Sequence, residues 1–197
     1  TETANELTSL GVQGHGGMGF IEETGAAQYM RDARITAIYE GTTGIHGMDL
    51  IGRKMASEKG ATLKAVLGEI EGTIGQLAAA GAEFASIKAG LELSVKAAKE
   101  GAEYILANFA DNTKKSAAGS VPFLMLMGIT LGGWLLAKSA LIAKAKLAAG
   151  DSDADFYTAK ITTTRFFAEH IAPRTLAYAY EVVNGADSTL ELADELF

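Results

Sequence analysis

From residue 61 onward, apolar positions recur every three or four residues. Phe84, Ile87, Leu91, Val95, Ala98, Ala102, Ile105 and Phe109 form one unbroken stripe, the mark of an amphipathic helix about seven turns long. Leu63, Val66, Leu67, Ile70, Ile74 and Leu77 give a similar stripe before it, broken near Gly81. A third helix starts near Pro122 and runs to Gly150, because proline is tolerated in a first turn, where its missing N–H is not needed. The acidic stretch DSDAD then opens a fourth helix from about Ala154 to Asn184, bent or interrupted at Pro173 and stopped by Gly185. Four long helices joined by short turns predict an antiparallel four-helix bundle. Period-two alternation is absent from residues 61–197, so no strand competes.

The earlier residues read differently. Eleven of the 23 glycines fall in residues 1–60, so this part is rich in turns where the remainder is rich in long elements. Ala4, Leu7 and Leu10 sit at helical spacing, IEETGAAQYMRD is compatible with a helix, and a further helix is expected over Gly44–Ser57. The expected organisation is all-α: a short helical segment over residues 1–60 followed by a bundle domain over residues 61–197.

Composition narrows the function classes. A net charge of −7, with no basic cluster longer than Lys114–Lys115, repels phosphate backbones and argues against nucleic acid as a partner. The absence of cysteine excludes disulfides, thiolate catalysis and cysteine-based metal sites, and fits a cytoplasmic setting. His15 and His46 lack ligand spacing, so no metal site is expected, and no G-x-S-x-G or S-x-x-K supports serine acyl transfer. The seventeen uncharged residues from Val121 to Ala137 fall short of the ~20 of a membrane span. Lys138, Lys144 and Lys146 continue the run as a charged helix, so a buried bundle helix is expected and no integral membrane segment. The chain opens without a secretory leader pattern and directly in a helical pattern, and is expected to be a fragment.

GVQGHGGMGF contains a literal G-x-G-x-x-G at Gly14, Gly16 and Gly19, with Glu40 near the distance of a ribose-binding acid. A dinucleotide-binding fold would need an apolar strand before Gly14, yet ANELTSLGV has helical spacing, and after Glu40 only helices follow. The glycines therefore read as a loop between helical segments.

That loop is one of three linked motifs: QGHGGMGF, then RDARI, then IYEGTTGI. Together they resemble the C-terminal helical domain of the acyl-CoA dehydrogenases, which carry Q-x-x-G-G-x-G-[FY] and then R-D-x-[RK]-[IV] running into [IV]-Y-E-G-T. The resemblance covers residues 1 to about 59. The appended helices resemble the extra C-terminal domain of a larger subgroup acting on methylthiopropionyl-CoA-like and broad acyl-CoA substrates.

The resemblance implies that Glu40 is the catalytic base, removing the α-proton of an acyl-CoA thioester while hydride passes from the β-carbon to flavin N5. A carboxylate suits this role if an apolar cavity raises its pKa. Tyr39 and Gly41 would border the substrate, and Thr42 and Thr43 would contact FAD, one of them also capping the next helix. Gln13, Gly14, Gly16 and Gly17 would reach the adenine and pyrophosphate region of a flavin held by a neighbouring subunit. Gly14 stands where Val or Ile is common and Gly44 where Gln is common, so the loop is expected to be more flexible and one side-chain contact to be missing. Arg31, Asp32 and Arg34 read as a structural charge cluster, and His170, Tyr178 and Tyr180 as packing or surface residues. The implied partners are the enzyme's N-terminal helical and middle β domains, electron-transfer flavoprotein as acceptor, and further copies of the chain in a homo-oligomer; the chain alone is expected to be inactive. The competing expectation is a non-enzymatic helical scaffold or partner-subunit module of the same descent, distinguished by the absence of bound flavin.

Overall fold

The computed structural model describes residues 1–196, and among these the fold is all-α, with no strand. The chain divides into two compact units, Thr1–Gly47 and Met48–Phe197.

In the first unit, α1 (Glu2–Gly14) packs against α3 (Ala26–Ile35), with the one-turn helix α2 (Gly17–Phe20) between them in sequence. Gly25, at φ 74°, interrupts the helix expected across residues 21–32; Glu22–Thr24 form only a 3-10 turn before it. The unit has almost no core. No residue of α1 is buried, and Leu7, Leu10, Phe20, Tyr29, Ile35 and Ile38 are all exposed. The helical run α4 (Thr43–Asp49) continues as a π-helix over Leu50–Met55 and a 3-10 turn over Ala56–Glu58, and the division between the units falls inside it. The single α-helix expected over Gly44–Ser57 is thus three helical types in succession.

The second unit is built on α5 (Ala61–Ala80), α6 (Ala85–Phe109) and α8 (Ser120–Ala148). The predicted stripe of α6 is the buried one: Ile87, Leu91, Val95, Ala98, Ala102 and Ile105 all face the core, and α5 contributes Leu67, Ile70 and Leu77. Each large side chain buried in this way stabilises the fold by about 1.5–3 kcal/mol relative to exposure. The helix α8 touches α5, α6, α9 (Ala154–Phe166) and α10 (Arg174–Asn184), burying Phe123, Leu126, Ala137 and Ala140. By length and composition α8 is also apolar enough to cross a membrane.

Polar ties fix the helices in register. Nε1 of Trp134 donates to the buried Thr73 hydroxyl across α8 and α5 at 2.8 Å. The Lys144 ammonium donates to the carbonyl of Ala80, the last residue of α5, and to Glu83 at 2.6 Å, and it lies 5.3 Å from the Phe84 ring centre. The hydrogen bond from Lys144 is the main reason the Glu83 carboxyl is held below its usual range. A depressed carboxylate contributes stability above its unfolded value, so this tie is present at neutral pH and is lost as pH falls.

The fourth helical run is in three pieces. Beyond α9, Phe167–Ile171 is a π-helix, closed by the Ala172 N–H donating to the Phe167 carbonyl at 2.9 Å, and α10 starts after Pro173. Proline has no N–H to return to the preceding turn, so the backbone rearranges just before it. Gly185 ends α10 at φ −82°, outside the left-handed region, and the short helix α11 (Ala186–Glu191) follows at once. Its lack of a side chain serves packing, since a Cβ there would lie 2.7 Å from the Glu181 carbonyl oxygen. A second short helix, α7 (Thr113–Ala118), is capped by Asn112, whose side chain accepts from the Lys115 N–H at 3.2 Å.

Glycines of the bundle fall into two kinds. A Cβ on Gly90 of α6 would lie 2.8 Å from both Cβ and the carbonyl oxygen of Ala168, whereas one on Gly72 of α5 would meet nothing within 4 Å. Gly90→Val should therefore cost about 1–3 kcal/mol by overpacking, and Gly72→Ala should add about 0.5–1 kcal/mol by helix propensity. Urea denaturation of the two variants checks the opposite signs.

Candidate functional site

The glycine loop follows directly from the end of α1. Gln13 turns the chain through its carbonyl, which accepts the Gly16 N–H at 3.0 Å, and Gly16 has φ 61°. Gln13, Gly14, His15, Gly16 and Gly17 are all exposed, and Cβ atoms added at Gly14, Gly16 and Gly17 would meet nothing within 4 Å. The loop thus presents bare backbone with open space beside it. Gly19 is different. It is buried, and a Cβ there would fall 2.1 Å from the Val12 carbonyl oxygen and 2.9 Å from Cβ of His15. Of the four glycines in the motif, Gly19 is the one the local fold requires sterically, a role that the repeat of glycines in the sequence does not single out.

The second part of the site is the turn between α3 and α4. The last turn of α3 unwinds through Thr36–Tyr39, the Tyr39 N–H donating to the Ile35 carbonyl at 3.2 Å. Glu40 then adopts φ 58° and Gly41 φ 104°. A left-handed glutamate is strained by about 1–3 kcal/mol, which the surrounding structure must hold. Reversal of the chain at this pair starts α4, whose first bond is the His46 N–H to the Thr42 carbonyl at 3.1 Å. Thr42 is exposed, and Thr43 donates its hydroxyl to Glu2 at the start of α1. Tyr39 and Glu40 are exposed, so the apolar surroundings expected around the carboxylate are absent among the described residues.

The two parts are held on one frame but apart. Thr43 meets α1 at its first residue, and the glycine loop begins where α1 ends. A rise of about 1.5 Å per residue separates them by roughly 18 Å. Within the charge cluster, Arg31 donates to Glu22 at 2.9 Å and to Gln28 at 2.8 Å, while Gln28 donates to Asp32 at 2.7 Å. Neighbouring residues point to different sides of a helix and cannot pair. Among the described residues no group of three or more His, Asp or Glu is placed to hold a metal.

The family model for the acyl-CoA dehydrogenase C-terminal domain matches residues 1–56, and the one for the acetyl-CoA dehydrogenase C-terminal-like domain matches residues 66–193. The chain belongs to the acyl-CoA dehydrogenase family. It is 46% identical over 190 residues to the 3-methylmercaptopropionyl-CoA dehydrogenase of Ruegeria pomeroyi, covering 96% of this chain and 32% of that protein. It is 34% identical over 206 residues to a broad-specificity linear acyl-CoA dehydrogenase of Mycobacterium tuberculosis, covering 99% of this chain and 33% of the relative. The mitochondrial short-chain specific acyl-CoA dehydrogenase of Rattus norvegicus matches over 57 residues at 42% identity, 29% of this chain and 14% of its own. The chain therefore spans about a third of the length of the first two relatives. The matched C-terminal domain of this family contains both the glycine loop and the Glu40 turn.

The contrast between Gly19 and Gly14 is testable. Gly19→Ala should cost about 2 kcal/mol or more by overpacking and raise amide exchange across residues 12–24, whereas Gly14→Ala should leave exchange unchanged; hydrogen–deuterium exchange with mass spectrometry measures both.

Proposed function

We propose that this chain supplies the catalytic base and part of the flavin site of an FAD-dependent acyl-CoA dehydrogenase, which desaturates an acyl-CoA thioester between its α- and β-carbons. The observation that carries the reading is the Glu40–Gly41 turn, where a strained glutamate with an exposed carboxylate lies beside a glycine, inside a matched family domain.

Glu40 accepts the α-proton, which the thioester carbonyl makes acidic. Gly41 and Tyr39 border the thioester, Gly41 at φ 104°, a backbone conformation that favours a residue without a side chain. Bound FAD supplies the acceptor for the β-hydride. The residues fit that group: the open backbone at Gly14, Gly16 and Gly17, with Gln13 beside it, can take a nucleotide's adenine and phosphates, and Thr42 and Thr43 offer hydroxyls at the turn. The separation of the two parts along α1 supports a loop that serves the flavin of a neighbouring subunit while Glu40 serves its own.

The exposed apolar side chains of the first unit support a homo-oligomeric enzyme whose N-terminal helical and middle β domains cover them. Their cover would also dry the site, raising the basicity of a carboxylate and strengthening its electrostatics. In this reading the acceptor that reoxidises the flavin is electron-transfer flavoprotein, the enzyme is cytoplasmic, and α8 is an interior helix of the appended domain. Likeness to a 3-methylmercaptopropionyl-CoA dehydrogenase and to a broad-specificity linear acyl-CoA dehydrogenase supports substrates of the thioether or linear acyl-CoA type.

Glu40→Gln in the full-length enzyme should slow anaerobic flavin reduction by acyl-CoA by about 10²–10⁴-fold with FAD still bound. Stopped-flow bleaching of the flavin band measures this, and an undiminished rate would show that another group takes the proton.

A further inference from the structure

Asn184 and Gly185 form the one Asn–Gly pair in the chain; the other asparagines, Asn5, Asn108 and Asn112, are followed by Glu6, Phe109 and Thr113. In such a pair no side chain shields the glycine nitrogen as it attacks the asparagine amide carbon, so it closes to a succinimide far more readily than an asparagine before a larger residue. Here the pair stands where α10 passes into α11. The fold keeps the glycine for packing, since a Cβ on it would lie 2.7 Å from the Glu181 carbonyl oxygen. Both reacting groups are engaged. The Gly185 N–H donates to the Glu181 carbonyl at 2.9 Å, and Nδ2 of Asn184 donates to the Tyr180 carbonyl at 3.0 Å. Val182, fully buried, anchors this last turn of α10. On the far side, α11 is seated by the buried Ala186 and by Asp187, which pairs with Lys115 of α7 at 2.7 Å.

We propose that Asn184 is a deamidation site gated by the last turn of α10, and that its conversion releases α11. The Asn184 side chain is exposed. Ring closure nevertheless needs the Gly185 nitrogen freed from Glu181 and the Asn184 backbone turned out of its helical conformation, so the reaction runs through local opening of this turn. In the open form the nitrogen bonds to Cγ of Asn184, the Cγ–Nδ2 bond breaks, and ammonia leaves with the Gly185 amide proton. Water then adds to one of the two succinimide carbonyls. Cleavage of the bond between nitrogen and Cγ gives aspartate, cleavage at the backbone carbonyl gives isoaspartate, and nothing is oxidised or reduced. Neither product can rebuild the turn. A carboxylate at position 184 has no donor for the Tyr180 carbonyl, and it stands at the negative end of α10, one turn from Glu181. Isoaspartate also lengthens the backbone by one carbon ahead of Ala186.

The test uses the full-length protein, aged in mildly alkaline buffer with and without denaturing urea, and follows the tryptic peptide that begins at Thr175 by chromatography and mass spectrometry. In urea, Asn184 should convert ahead of the other three asparagines. In the native protein it should convert about tenfold more slowly than in urea, or slower still. Val182→Ala, which empties the anchor under the turn, should speed native conversion by about tenfold and leave the rate in urea unchanged. Lys115→Ala, which removes the tie of α11 to α7, should speed it by about twofold and serves if the first variant fails to fold. Amide hydrogen exchange across residues 184–191 should rise in the converted protein. Equal rates in native and urea conditions, or a native rate unmoved by these variants, overturns the gate. Earlier conversion of another asparagine in urea overturns the site, and unchanged exchange after conversion overturns the release of α11.

Discussion

Two consecutive left-handed residues, Glu40 and Gly41, are the constraint from which the functional part of this chain follows. They end the path of α3, aim the chain back into α4, and place a carboxylate at an exposed corner. Gly41 adopts its conformation freely, but Glu40 does so at a cost. The neighbours that hold it there are local: the Ile35 carbonyl on one side, and Ile45 and His46 packed beside Gly41 on the other. A side chain under strain and in the open is a cost to stability, and the proposed role of Glu40 as base gives that cost a reason.

The bundle is built on a different principle. Its core is aliphatic, and close approach of helices depends on small residues: Gly90 against Ala168, Gly101 against Phe123, and Gly133 against Phe167. Single cross-helix ties, Trp134 to Thr73 and Lys144 to the end of α5, then fix register without burying an unpaired charge. The first unit has neither device, and its large apolar side chains stand exposed. The second unit buries its large apolar side chains within itself, whereas the first presents them at its surface.

Much of this was legible in the residues. The stripe on α6 was read position by position, since a periodicity of three to four reports directly on which face is buried. The Glu40 turn was legible only as a motif, because nothing in the identity of a glutamate announces φ 58°. The need for Gly19 is not legible, because a glycine whose added Cβ would fall 2.1 Å from a carbonyl oxygen looks, in sequence, like a glycine free in solvent. The π-helices at Leu50–Met55 and Phe167–Ile171 have no compositional signal apart from Pro173. The contact of His46 with Gly41 depends on the turn that precedes it, and the spacing of His15 and His46 pointed only away from a metal.

The central claim is that Glu40 takes the α-proton, and the most direct measurement isolates that step from hydride transfer. Full-length enzyme in D₂O would be incubated with an acyl-CoA analogue that lacks a transferable β-hydrogen, and deuterium at the α-carbon followed by mass spectrometry. The account predicts exchange at the α-carbon with the native enzyme and only background exchange with Glu40→Gln. Equal exchange by the two proteins would contradict it.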